Sequence, residues 1–307
     1  PAHYLKRYHG NYADAGKLKK LLRKKRTRSW ASLHNRFDNM YRFDNPELPT
    51  LQPWVNRTRP PATRFIGERN PYYHRVDEKG RQLPYIDKLI MAVSDGKLIA
   101  AKAGTGEVDL QARSLAFNNL TFLRENEKDG KFETYLWRIA KGAHVALFPN
   151  LNVDDPVWSK MMRDVRFRRA LSLGVDREAI NESLFFGLAL MGNNTMLPDS
   201  PLFREEYQKQ WAEYDPDMAN EILDEMGLTK YNDDDIRLLP DGRPMEIIIE
   251  TAGEDTEQTD VLELVAEAWA EIGIKLYIKP SQREVFRNRV FSGQAQMSIW
   301  SGLENGV

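Results

Sequence analysis

The sequence predicts a two-domain protein of the α/β class, and three observations carry that expectation. The chain has 307 residues, more than one ordinary hydrophobic core organises, so the length favours about two domains. Beyond Asp155-Pro156, predicted helices and strands alternate, the pattern of layered architectures with crossover connections. Near Asn150 the texture changes from short, irregular elements to longer helices, which marks a boundary.

The first half is read from its punctuation. Ala13 to Lys25 predicts a helix with Leu18, Leu21 and Leu22 on one face and basic residues on the others. Ser29 is placed to cap a second helix through Trp30, Leu33 and Phe37. Asn45 to Pro61 is proline-rich and aperiodic, an extended connector. Thr63 to Ile66, Tyr72 to Val76 and Ile86 to Val93 predict strands, with Asp77 to Gly80 as a turn. Gly96 to Ala103 and Ser114 to Asn126 predict helices. Lys131 to Ile139 and His144 to Leu151 predict strands.

The second half is more regular. Asp155-Pro156 opens a helical segment, in which Val165, Phe167, Ala170, Leu171 and Leu173 form an apolar stripe. Asp164 and Asp176 are placed as N-caps. Asp215-Pro216 starts a helix through Ala219, Ile222 and Leu223, closed at Gly227. Met245 to Thr251 predicts a strand. Thr256 to Ile272 predicts an amphipathic helix with Val261, Leu264, Val265, Ala268 and Trp269 inward. Ile274 to Lys279 alternates as a half-buried strand, Ser281 caps a last helix, and Gln296 to Trp300 is a last strand.

Composition excludes several classes. A formal net charge of -1 gives no global field for nucleic acid or a membrane surface. The absence of cysteine removes disulfides, thiolate nucleophiles and cysteine-ligated metals. No apolar run approaches the roughly 20 residues of a membrane helix. No signal peptide is visible, although the chain does not begin with Met and its first residue need not begin the gene product. The five histidines lack metal-ligand spacing, so neither a metal nor a cofactor is expected. Tyr231 to Gly242 is acidic but lacks the oxygen spacing of a calcium loop, and reads as a polar hairpin. The basic run Lys17 to Arg28 reads as a solvated helix face and not a nucleic-acid site. Carboxylates are plentiful, but no pair stands out as a hydrolytic acid and base, so residue chemistry alone stops at a two-domain α/β protein that binds something.

A resemblance extends the reading. "RNPYYHRVDEKGRQLPYID" (Arg69 to Asp87) is similar to a segment of family 5 of the bacterial extracellular solute-binding proteins, the peptide- and oligopeptide-binding components of ABC importers. So are Pro1 to Asp14, Leu48 to Trp54, "GEVDLQ" (Gly106 to Gln111), "DVRFRRALSLGVDREAINESLFFGLA" (Asp164 to Ala189), Tyr214 to Leu228 and Ala268 to Leu276, in family order. The resemblance implies a periplasmic-binding-protein-like type II fold, two lobes with mixed sheets flanked by helices, with lobe one incomplete. Family members are far longer, so the chain reads as an internal fragment. Residues 1–149 would be part of lobe one and 150–307 most of lobe two, with Asn150, Leu151 and Asn152 as one hinge crossing. The implied activity is capture without chemistry. Ligand enters an interlobe cleft, the lobes close, and a periplasmic or extracytoplasmic monomer delivers it to a membrane permease.

The implied ligand site lies at Trp300, Ser301, Gly302 and Glu304. Peptide binders of the family often carry Trp-x-x-Asp here, the aspartate meeting the peptide ammonium. This chain keeps Trp300 but has Leu303 in the aspartate's place and Glu304 one position later. The departure leaves an oligosaccharide or opine-like sugar conjugate as the alternative ligand, since Trp300 suits sugar stacking equally well. Trp300 also reads as a lobe-two core residue. A hydrolase on the same chain is the remote alternative. Arg69 to Asp87 itself is expected to be a scaffold corner, stiffened by Pro71 and Pro84.

Overall fold

The computed structural model describes residues 1–40, 42, 44–137, 139–253 and 256–304. The chain forms two compact units, Pro1–Asp95 and Gly96–Val307.

The first unit opens with a short helix α1 (Ala2–Leu5), followed by α2 (Ala15–Lys25) and α3 (Trp30–Asp38). Asp14 accepts the Lys17 amide to cap α2, and Ser29 accepts the Ser32 amide to cap α3. The two caps aim Leu18, Leu33 and Phe37 inward, where they meet Tyr4 and Tyr8 in a small core. Tyr8 stacks on Phe37 at 4.1 Å. The Tyr4 hydroxyl donates to buried Asn45 at 2.6 Å, and Asn45 donates in turn to the Phe37 carbonyl. The sheet of this unit is antiparallel, in the order β1 (Trp54–Asn56), β2 (Arg64–Arg69), β3 (Lys88–Ala92).

Two expectations for this unit are corrected. The connector from Asn45 to Pro61 contains β1, whose pairing with β2 overrides its weak local signal. Tyr72 to Val76 is not a strand. Asn70 accepts the Tyr72 amide in a turn, and the Gln82 side chain donates to the Pro71 and Tyr73 carbonyls, so a side chain takes the place of a ladder. Arg69 to Asp87 is a corner as expected, bridged only between Val76 and Gln82.

In the second unit the elements run α4 (Gly96–Gly104), α5 (Leu120–Gly130), β4 (Ala146–Pro149), α6 (Pro156–Arg163), α7 (Val165–Leu173), α8 (Arg177–Phe185), α9 (Glu205–Lys209), α10 (Pro216–Glu225), β5 (Glu246–Thr251), α11 (Glu257–Ala270), β6 (Lys275–Pro280), α12 (Arg283–Phe291) and β7 (Met297–Trp300). The sheet order is β4-β7-β5-β6; β5 runs parallel to β6 and β7, and β4 antiparallel to β7. Asp155, Asp164, Asp176 and Asp215 all cap helices through their side chains. Gly227 takes φ +83° just after α10, the left-handed turn that a side chain would strain.

One core joins α6, α7, α10, α11 and the sheet around Phe167, Leu223, Ile247, Ile249 and Trp269. Trp269 is fully buried and its indole N–H donates to the Leu171 carbonyl at 3.1 Å, so no polar atom is stranded. Arg237 is also buried, at 1% exposure. Its guanidinium is held by the Ile272 and Leu228 carbonyls, Asn220 and Asp224.

The remaining corrections have the same cause, tertiary partners that local pattern does not reveal. Among the described residues of 131–139 none is in a strand, and Tyr135, Leu136 and Trp137 are exposed; β-prone residues without an edge to join make no ladder. Val165 is exposed, while Leu262 is buried and Leu264 only half-buried on α11. Ser281 does not cap α12; Gln282 occupies the N-cap position and makes no side-chain cap bond.

Candidate functional site at the carboxyl edge of the second sheet

Strands β5, β6 and β7 are mutually aligned, so Thr251, Pro280 and Trp300 end at one edge of the sheet. Because β4 runs the other way, its first residue, Ala146, pairs with Trp300 at that same edge. Open α/β sheets offer ligands this carboxyl edge, where loops diverge and main-chain groups are not spent on the ladder.

The chain entering β4 and the chain leaving β7 form a clip there. The Gly302 amide donates to the Ala143 carbonyl at 2.8 Å, and the Gly142 amide to the Leu303 carbonyl at 2.8 Å. Lys141 and Glu304 bridge beyond them. Asn194 accepts the Leu303 amide at 2.7 Å, tying a third segment to the clip. A Cβ on Gly302 would collide with Asn194 Oδ1 and sit 2.5 Å from the Ala143 nitrogen, so this position admits glycine alone without displacing backbone.

All four expected site residues therefore lie together. Trp300 is 36% exposed, stacks on Phe286 at 5.8 Å, and has the Arg283 guanidinium 5.2 Å from its ring centre. The Lys141 ammonium donates to Ser301 Oγ at 2.8 Å and lies 3.3 Å from Glu304 Oε1. His144 Nε2 is 2.6 Å from Glu257 Oε1 at the start of α11. Beneath the edge, Glu250 is 1% exposed and takes two hydrogen bonds from Arg289 Nε, each 2.8 Å. That contact holds the Arg289 pKa above its ordinary value. Lys141, Asn194, Arg283 and the Glu250–Arg289 pair carry no sequence signal of their own; the β4–β7 register places Lys141, the Leu303 amide ties in Asn194, and the β5–β7 pairing sets Glu250 beside β7.

The proposed crossing residues are tied to the loop before β7. Asn150 Nδ2 donates to the Gly293 and Ala295 carbonyls at 3.0 and 2.7 Å, while its Oδ1 accepts the Asn152 amide at 2.9 Å. Arg163 donates to the Leu151 carbonyl and to Asn152. Among the described residues no group of three or more His, Asp or Glu side chains is placed to hold a metal ion, and no helix is long and apolar enough to cross a membrane.

Residues 24–305 match the family described as bacterial extracellular solute-binding proteins, family 5 Middle. The chain belongs to this family. Family 5 relatives include a periplasmic alpha-galactoside-binding protein of Rhizobium meliloti (strain 1021), 23% identical over 91% of this chain and 39% of that protein. Among solved family 5 structures, an oligopeptide-binding protein OppA is 39% identical, with a TM-score of 0.57 over 98% of this chain and 48% of that one. The MelB binding protein of Agrobacterium fabrum C58, solved with stachyose, gives a TM-score of 0.74 at 20% identity over 98% of this chain and 44% of that one. The fold is thus that of the periplasmic binding proteins, and the chain spans less than half the length of these family 5 proteins.

Proposed function

We propose that the chain is part of the solute-binding component of an ABC importer, which captures peptides or oligopeptides outside the cytoplasm and delivers them unaltered to a membrane permease. The observation that supports the ligand class is the 39% identity to an oligopeptide-binding protein across 98% of the chain. In this reading Trp300, Ser301, Gly302 and Glu304 face the ligand. The clip fixes the backbone path that presents these side chains, and Glu304, 77% exposed at its side chain, meets an ammonium. Asn150 to Asn152 form one crossing between lobes, 1–149 and 150–307. This lobe division differs from the compact units by residues 96–149, whose strand β4 is bonded to β7.

The test is titration of the full-length protein with di- to hexapeptides, followed by calorimetry and thermal unfolding. A bound peptide raises the unfolding midpoint and is recovered intact. No stabilisation by any peptide sinks the ligand class, and recovery of cleaved peptide sinks the non-catalytic reading.

A second reading is favoured by one feature. Leu303 occupies the place of the ammonium-binding aspartate, and Glu304 is already committed to Lys141. That arrangement suits a neutral oligosaccharide, which needs an aromatic face and paired hydrogen-bonding groups but no free carboxylate. The naming of the Rhizobium meliloti relative for alpha-galactosides supports it. The same titration with galactose-containing oligosaccharides separates the two.

A further inference from the structure

The first unit contains a cavity of about 810 Å³ between the amino-terminal segment, α2 and the chain around Asn45 and Arg59. Its volume is that of a small-ligand site. It is independent of the edge described above and of the reading built on it.

Three carboxylates line the cavity, and each is spent inside the protein. Asp14 caps α2 through the Lys17 amide, Asp44 is held by Arg36 and Arg42, and Glu47 pairs with Arg59. The Arg42 hydrogen bond holds the Asp44 carboxyl far below its usual range. The lining ammonium groups are different. Among the described residues no carboxylate pairs with Lys6, Lys17 or Lys25, although Lys25 lies 5.5 Å from the Phe37 ring centre. Arg7 also lines the cavity and directs its Nε–H to the Tyr4 carbonyl.

The surrounding charge points the same way. Residues 1–95 hold 20 Lys and Arg against 9 Asp and Glu, a formal +11; residues 96–307 hold 24 against 36, a formal -12. Residues 1–38 alone hold 11 Lys and Arg against 2 Asp and Glu, a formal +9, so the excess is concentrated around the basic run of α2, and its field draws anions toward the cavity. Lys17 and Lys25 enter the lining, whereas Lys20 and Lys24 on the same helix do not.

We propose that this cavity binds a phosphate-bearing polyanion, with Lys6, Lys17 and Lys25 as its charged ligands and Tyr8 and Tyr12 at its walls. Ammonium groups are rotatable point charges that suit tetrahedral phosphate from several sides, whereas a planar carboxylate favours an arginine fork, and the Arg59 fork is taken. The shared chemistry is the phosphate; a soluble organic or inorganic phosphate and a phospholipid headgroup are its two sources.

The experiment uses full-length protein with tripolyphosphate in calorimetry and phosphatidylglycerol vesicles in co-sedimentation. Titration by tripolyphosphate assigns a soluble ligand, and co-sedimentation without titration assigns a headgroup. In either case Lys17→Ala/Lys25→Ala weakens binding by at least about tenfold, while the charge-matched Lys20→Ala/Lys24→Ala stays near wild type. Thermal midpoints identify any misfolded variant, with Lys17→Gln/Lys25→Gln as the replacement pair. Equal weakening by both pairs would show only a diffuse basic surface and overturn the proposal, as would a wild type that binds neither probe.

Discussion

The Lys141 ammonium sits 3.3 Å from the Glu304 carboxylate and 2.8 Å from the Ser301 hydroxyl, joining the strand that enters the second sheet to the strand that leaves it. The pair is exposed on the Glu304 side, so its own contribution to stability is small, on the order of 0.5 kcal/mol. Its value as a probe lies in ligand discrimination. Glu304→Gln is expected to weaken a peptide that presents an ammonium by about tenfold and to leave a neutral oligosaccharide within about twofold. Calorimetric titration of both ligand classes checks it; equal loss for both would remove Glu304 from any ammonium-binding role.

Beneath that edge, Glu250 is buried and depends on Arg289. Arg289→Met should cost about 3 kcal/mol, the low end for stranding a buried charge, because Lys279 remains 3.8 Å away. Denaturant unfolding measures it. The double variant Glu250→Gln/Arg289→Met should recover part of the loss, since no charge is then left alone.

Asn150 makes two side-chain hydrogen bonds to backbone carbonyls of the loop before β7. Asn150→Ala should cost about 1–3 kcal/mol by leaving those acceptors unmatched. Hydrogen exchange should show faster opening at residues 293–296 and no change at β6. An unchanged loop would mean that water replaces the amide without loss.

Acid should act on the second unit partly through Asp155. Arg243, 2.7 Å away, and the capped amides of α6 pull its pKa down from 3.8 to about 2. A depressed carboxyl contributes stability that is complete above pH about 4 and lost as pH falls through about 2. Wild type should therefore lose thermal stability more steeply across that window than Arg243→Gln, whose Asp155 titrates nearer its ordinary value. Parallel curves would show that the pair is screened by solvent.

What could be read from the chain depended on whether the cause was local. Asp155, Asp164, Asp176 and Asp215 announced their helices because a cap is settled within four residues. The alternation in β6 and, on α11, the inward Val261, Val265, Ala268 and Trp269 needed only one buried face, whereas the burial of Leu262 in place of Leu264 did not follow from the pattern. Strand β1 and the unpaired stretch 131–137 were misread because a ladder depends on a distant partner, present for Trp54–Asn56 and missing for the other. Arg237 looked like one more charged hairpin residue, and only packing against Gly273 and α10 put it in the core. At the candidate site the resemblance pointed to Trp300, Ser301, Gly302 and Glu304, but nothing around Lys141 or Asn194 signals their contacts with Ser301, Glu304 and the Leu303 amide.

Gly302 has room for no side chain, since Ala143 and Asn194 occupy the space a methyl group would take. The next two residues are under no such restriction: Leu303 is 43% exposed, and Glu304 projects into solvent. The clip thus behaves as a fixed mount with a replaceable tip. Substitutions at 303 and 304 can retune charge and reach while Gly302 preserves the backbone path, so the tip can vary without rebuilding the sheet.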